Sequence, residues 1–255
     1  MQPVGKRLIG ISSARKTGAE VAGGKVTLTK FQESAWKCFA YTCLTILSGI
    51  ALAPETYWHD TQQFWAECTQ VPCQFESSQA MLVAYSADMA YYSYAIFYCL
   101  FFETKRDDWW ATFAHHLVTV ALIGYSFALG FTRAGVVIMF LHDISDPFLE
   151  LAKMARYSKT EFFSTVWFVL FTLSWIAMRV VYFPVWVIWS VMFETWGTIV
   201  GDKIPPRFPH WELFVGMLVV LWALHVFWTY TILKIAIGAL TGGTVDDPRE
   251  DAKED

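Results

Sequence analysis

WWATFAHHLVTVALIGYSFALG, residues 109–130, is the stretch on which the reading turns. It contains no Lys, Arg, Asp or Glu. From Trp110 to Gly130 it supplies the roughly 20 mainly apolar residues that a helix needs to cross a bilayer while satisfying its own backbone hydrogen bonds. Two histidines nevertheless stand side by side inside it, His115 and His116. Ionisable side chains within a span are costly and face a bundle interior or a wet cavity, so each marks function by default.

Outward from this stretch, further apolar runs cover about Ala35 to Ala53, Gln79 to Phe102, Gly135 to Leu151, Phe162 to about Trp189, and Trp211 to Leu233. The 255 residues are 55% hydrophobic, 18% aromatic and only 16% charged, which does not fit a soluble surface. A water-soluble enzyme, intrinsic disorder, nucleic-acid binding and a small disulfide scaffold are set aside together, since the net charge is only −4 and five Cys make no dense framework. The fold class is all-α and polytopic. Six spans are expected, with seven as the rival count, because residues 162–201 are long enough for two spans with a break at Arg179 to Pro184.

Lys/Arg asymmetry does not choose between the counts. Six spans leave only Arg133, Lys203 and Arg207 opposite the basic side, and seven leave a bias almost as strong. Both put the basic N-terminus in the cytoplasm and the loop from Pro54 to Ser78 across the membrane, its charges being Glu55, Asp60, Glu67 and Glu76. The first span ends in Ala51-Leu52-Ala53, like a signal-peptidase site, but Pro54 follows, so an uncleaved anchor is expected. Cys68 and Cys73 lie in that loop, where an oxidising lumen joins them or leaves them a free pair. Residues 1–34 read as a basic N-terminal segment, 35–240 as the membrane domain, and 241–255 as an acidic, solvated tail in which Thr244 is at most a weak phosphorylation pattern.

The second polar concentration lies on the next span: His142, Asp143, Asp146, Glu150 and Lys153. On one continuous helix, His142, Asp146, Glu150 and Lys153 follow i+4 and i+3 steps and form a single face. His115, Thr119 and Ser126 fall near one stripe of the preceding span. The two helices are consecutive and joined by a few residues, so they pack antiparallel and the polar groups can meet. A lone buried His, such as His142 or His225, is more often a structural hydrogen-bonder; five ionisable groups on facing helices favour chemistry. A metal site of His and carboxylates is the lesser reading, because His59, His210 and His225 stand singly.

Together, His115-His116, Thr119, Ser126, Arg133, Gly135, His142-Asp143, Asp146, Glu150 and Ala152-Lys153 resemble the signature of the ceramide synthases, over about Trp36 to Leu240. Arg179, Tyr182-Phe183-Pro184, Phe193-Glu194 and His225-Val226-Phe227-Trp228 are similar too. Phe127 stands where that family commonly has Tyr, and Gly130 where it commonly has Asn. The chain looks like a minimal form without the homeobox-like segment.

The resemblance implies a TLC-type bundle enclosing an apolar tunnel, in the endoplasmic reticulum membrane with both termini cytosolic, and favours six spans. It implies acyl transfer from acyl-CoA to the amine of a sphingoid base, with no cofactor and no metal. Catalytic roles would fall to His115, His116, His142, Asp143 and Asp146, and substrate contacts to Thr119, Ser126, Arg133, Glu150, Lys153 and Arg179. His115 is the favoured nucleophile, through an acyl-imidazole, with His116 as proton acceptor and Asp143 or Asp146 orienting an imidazole. Lys105, Arg106, Lys153, Arg156 and Lys159 are candidates for the CoA phosphates, equally explained by the positive-inside rule. Chain length would be set between about Glu194 and His210. Association in pairs is implied, with membrane lipids as surroundings and no nucleic acid. The competing readings are a lipid transporter or scramblase and a non-catalytic TLC-domain lipid-binding protein.

Overall fold

A computed structural model describes residues 18–57, 59–68, 71–103, 107–195 and 209–240. These residues are helical with no strand, arranged as α1 (Gly18–Leu52), α2 (Gln79–Phe101), α3 (Trp109–Ala128), α4 (Thr132–Asp143), α5 (Asp146–Tyr157), α6 (Glu161–Glu194) and α7 (Pro209–Leu240). α1, α3, α6 and α7 are long and apolar enough to cross a membrane, and α2 runs 23 residues. The protein is an all-α, multi-pass membrane protein. Its many exposed Phe, Trp, Val and Leu side chains, such as Phe39, Phe101, Phe162 and Leu173, suit contact with lipid.

Two sequence expectations change here. The span expected from Gly135 to Leu151 is two short helices, α4 and α5, separated by a turn at Ile144 and Ser145. Pro147, in the first turn of α5, is the physical reason: it has no N–H to give the carbonyl of Asp143, and its ring would collide with that carbonyl in a continuous helix. The single polar face from His142 to Lys153 therefore does not exist as one helical stripe. In contrast, the long run from residue 162 is one helix, Glu161–Glu194, with no turn at Arg179 to Pro184. It widens to π-helical winding over Ile176–Ile188, which is how a helix carries Pro184 without breaking.

The chain divides into two compact units. One comprises Met1–Cys43 and Asp143–Trp175, the other Leu44–His142 and Ile176–Asp255. In the first, α5 lies against the start of α6: Ser164 Oγ donates to the Ala152 carbonyl at 3.2 Å, Phe148 stacks on Trp167 at 6.1 Å, and Cys38 Sγ approaches the Pro147 carbonyl at 3.9 Å.

The second unit holds most of the apolar core. Ser78 caps α2 by accepting from the Met81 N–H at 3.2 Å. α2 and α3 run antiparallel in close contact; Tyr85 meets Ser126 at one end, and the Trp109 indole donates to the Cys99 carbonyl at the other. The loop before α2 is fixed against the α3–α4 turn. Cys68 and Cys73 are joined in a disulfide, and the Cys73 N–H donates to the Leu129 carbonyl at 2.9 Å. Gly130 sits there at φ +73°, and a Cβ on it would lie 2.0 Å from the Cys73 carbonyl oxygen. That close approach accounts for glycine where the resembled family commonly has Asn. Arg133 ties the same loop down. Its guanidinium donates to the carbonyls of Gln63 and Ala66, pairs with Glu67 at 3.7 Å and lies 4.0 Å over the Phe75 ring.

Candidate active site

Near the first third of α3, His115 becomes the centre of an aromatic cluster in the second unit. Its ring lies 5.5 Å from His116, 6.5 Å from His142, 6.3 Å from His225, 6.4 Å from Tyr92 and 5.5 Å from Trp228. The 3.6-residue pitch explains the company on one side. His115 and His116 are adjacent, so they diverge by about 100° and straddle Tyr92 of α2, which lies 5.9 Å from His116. α4 delivers His142 at its last turn, and α7 delivers His225 and, three residues later, Trp228. His142 and His225 are 4.7 Å apart, with Phe183 of α6 edge-on to both at 5.0 and 5.6 Å.

Hydrogen bonds set the orientation of these rings. His142 Nδ1 is 2.6 Å from the Ile138 carbonyl, which can only accept, so Nδ1 carries the proton and Nε2 keeps a lone pair. Nε2 is buried without a hydrogen-bond partner among the described residues, as is Nδ1 of His115. The buried Arg179 guanidinium donates to the carbonyl of His142, fixing the end of α4 from the widened part of α6. The Trp228 indole donates to Asp108 Oδ2 at 3.0 Å, which holds its ring against His115.

Below the imidazoles lies a narrow cavity of about 30 Å3. It is lined by Thr119, Leu122, Ile123 and Ser126 of α3, Gly135, Ile138, Met139 and His142 of α4, Phe214 and Leu221 of α7, and Tyr92. The wall is almost wholly apolar, with one imidazole at its edge. Its character matches apolar groups rather than charged ones, and it lies directly against the histidines.

Residues 30–234 match the TLC domain family. The chain is 32% identical over 256 residues to ceramide synthase 1 LOH3 of Arabidopsis thaliana, covering 99% of this chain and 83% of that protein. Against ceramide synthase LOH1 of the same plant it is 34% identical over 229 residues, 89% of this chain and 74% of that one. With ceramide synthase 5 of Homo sapiens the identity is 35% over 228 residues, 89% of this chain and 55% of the human protein. The chain is a TLC-domain protein of the ceramide synthase family.

Within this family member, the expected site residues fall into three places. His115, His116, Thr119, Ser126, His142 and Arg179 are brought together around the cavity and its imidazole end. Arg133 is at the other end of α4, engaged with the loop. The remaining expected residues belong to the first unit. There the fully buried Asp143 opens the second segment, Asp146 accepts from Ser145 Oγ at 3.4 Å, and the buried Glu150 pairs with Lys153 at 2.9 Å. Lys105, Arg106, Lys203, Arg207, Thr244, the stretch 195–208 for the most part, and the 241–255 tail lie outside the described residues. Among the described residues, no group of three or more His, Cys, Asp or Glu is spaced to hold a metal ion.

Three residues were given no role at the site by the sequence reading, and the structure places two of them, His225 and Tyr92, among the imidazoles. His225 entered only as part of the resemblance and as a single histidine set apart from the cluster, yet it lies on the face that α7 turns to His142. Tyr92 carries no charge and gave no signal. Asp88 did give one: it is an acid inside an apolar span, fully buried on the α2 face that also presents Tyr85 and Tyr92.

Proposed function

We propose that the protein is an acyltransferase that moves a fatty acyl group from acyl-CoA to the amine of a sphingoid base, forming ceramide or dihydroceramide. The observation that carries this is an imidazole cluster bordering an apolar cavity, in a chain whose relatives are named ceramide synthases. The acyl chain would lie in the cavity with its carbonyl carbon at His115. An imidazole nitrogen of His115 attacks that carbon, the C–S bond breaks, and CoA leaves as thiolate, taking up a proton in water at the mouth. The imidazole proton freed by acylation passes to His116. In the second half the neutral amine attacks the acyl-imidazole, the bond to His115 breaks as His116 returns its proton to the leaving imidazole, and the amine proton goes to His142 Nε2, whose lone pair is fixed by the Nδ1–Ile138 hydrogen bond, and from there to solvent. Arg179 acts on the site by holding His142, and Trp228, tethered to Asp108, orients His115.

The reading places the protein in the endoplasmic reticulum membrane with both termini cytosolic, so that CoA is delivered and released on the cytosolic side. The deciding experiment is to incubate purified protein with palmitoyl-CoA and sphinganine and look for the amide by mass spectrometry. Amide formation that is lost in His115→Ala supports the reading. No amide from the intact protein with any long-chain donor overturns it in favour of lipid transport or lipid binding.

A further inference from the structure

Pro184 lies inside the π-wound part of α6, Ile176–Ile188. In that winding the N–H of each residue reaches the carbonyl five positions before it. Proline has no N–H, so the carbonyl that loses its helical donor is that of Arg179. A ring nitrogen of His225 on α7 approaches this same carbonyl. Phe183, next to Pro184, is fully buried and stands edge-on to His225 at 5.6 Å and to His142 at 5.0 Å.

His142 is arranged in a parallel way, with Nδ1 on the Ile138 carbonyl at 2.6 Å. The two rings lie 4.7 Å apart, nearer to each other than either is to His115, at 6.5 and 6.3 Å. Each imidazole thus has one nitrogen turned to a backbone carbonyl, on α4 and on α6, and one nitrogen left for chemistry. Once Nε2 of His142 takes a proton, it becomes a buried N–H that needs an acceptor. The cation is also costly there, because the Arg179 guanidinium already donates to the His142 carbonyl. Within the second unit, the titratable or charged groups around the two rings are His115 and Arg179, with His116 and Tyr92 beyond His115, and none of these four is an acid. The remaining nitrogen of His225 is the acceptor within reach, directly or through one water.

We infer that His142 and His225 take up the amine proton as a pair, with His225 as second acceptor held by the carbonyl that Pro184 frees on Arg179. The amine nitrogen gives its proton to His142 Nε2, and that proton passes onto the bare nitrogen of His225, whose own N–H stays on Arg179. The charged pair then runs from the Ile138 carbonyl to the Arg179 carbonyl with each N–H accepted. When the amide leaves, the proton returns through His142 to water. The inference rests on the acyl-transfer reading and adds to it two residues to which that reading gave no role. His225 acts through His142, and Pro184 positions His225.

The test uses the full-length protein with palmitoyl-CoA and sphinganine over a range of pH, and nitrogen NMR of isotope-labelled histidine as a readout that needs no turnover. His225→Phe keeps a flat ring against Phe183 and has no ring nitrogen. It should acylate at the wild-type rate, accumulate the adduct and turn over about tenfold more slowly, a smaller loss than at His142 because the first acceptor remains. A lone His142 holds a proton less tightly than the pair, so the acid limb of turnover should move to lower pH, and the His142 titration seen by NMR should move with it. Pro184→Ala returns an N–H to the Arg179 carbonyl and should shift both in the same direction with His225 intact; it is also the second arm should His225→Phe not fold. A slowed reaction in which acylation suffers equally and the acid limb stays in place would make His225 a packing residue and overturn the pairing. Wild-type rates and an unmoved His142 titration in both variants would overturn it as well. Wild-type protein that makes no amide from any donor sinks the acyl-transfer reading, yet a His142 titration that moves with residues 225 and 184 still supports the pair.

Discussion

His115 and His142 differ in what their surroundings fix. His142 has one nitrogen committed to the Ile138 carbonyl, which leaves the other as a lone pair, whereas His115 is held by ring contacts with Trp228, Tyr92 and three imidazoles. If His115 is the nucleophile and His142 the acceptor of the amine proton, their variants separate. His115→Ala should show neither acyl adduct nor product. His142→Ala should still acylate at His115, accumulate the adduct, and turn over about a hundredfold or more slowly, the usual loss for a missing general base. Intact-protein mass spectrometry after a pulse of acyl-CoA reads the adduct, and an adduct that persists in His115→Ala would reassign the nucleophile. The paired histidines were legible because two imidazoles in an apolar span stand out against their neighbours. His225 was not, because its significance lies in a 4.7 Å approach to His142 from a helix more than eighty residues away, which no local spacing encodes.

At the scale of elements, the long apolar runs were readable from hydropathy and length, and Glu161–Glu194 is one helix as first expected. The α4–α5 break was missed because the i+4 pattern from His142 was followed through Pro147, the one residue in it that cannot continue a helix. The loop before α2 was readable in its acidity and its cysteine pair, but not in its anchorage, which depends on Arg133 reaching back from α4. Replacing Cys68 and Cys73 by Ser removes a small covalent ring, whose entropic contribution is on the order of 2 kcal/mol. The variant should therefore melt at lower temperature, and glutamyl endopeptidase should cut faster at Glu55, Glu67 and Glu76. Arg133→Gln should produce the same susceptibility with the disulfide intact. If neither variant is cut faster than the wild type, the loop is not held as described.

For the whole molecule, six spans are the expectation from sequence with seven as the rival; the unbroken α6 lacks the turn at Arg179 to Pro184 on which the seventh depends, while the fourth expected span is the two short helices α4 and α5. An even count puts both ends on one side. Tags placed at each terminus should both be digested by protease added to sealed microsomes, while an epitope inserted next to Glu76 should survive until detergent is added. Protection of the C-terminal tag alone would restore the odd count.

The loosely wound part of α6 has a bearing on how such a chain tolerates change. Over residues 176–188, the number of residues per turn departs from that of an ordinary helix, so rotation and length are out of step there. Exchanging one apolar residue for another in this stretch leaves that offset intact. Losing a single codon would let the winding relax toward normal pitch and gaining one would add to the surplus, and either would swing Arg179 away from the carbonyl it holds, so drift in this segment is expected through substitutions rather than indels.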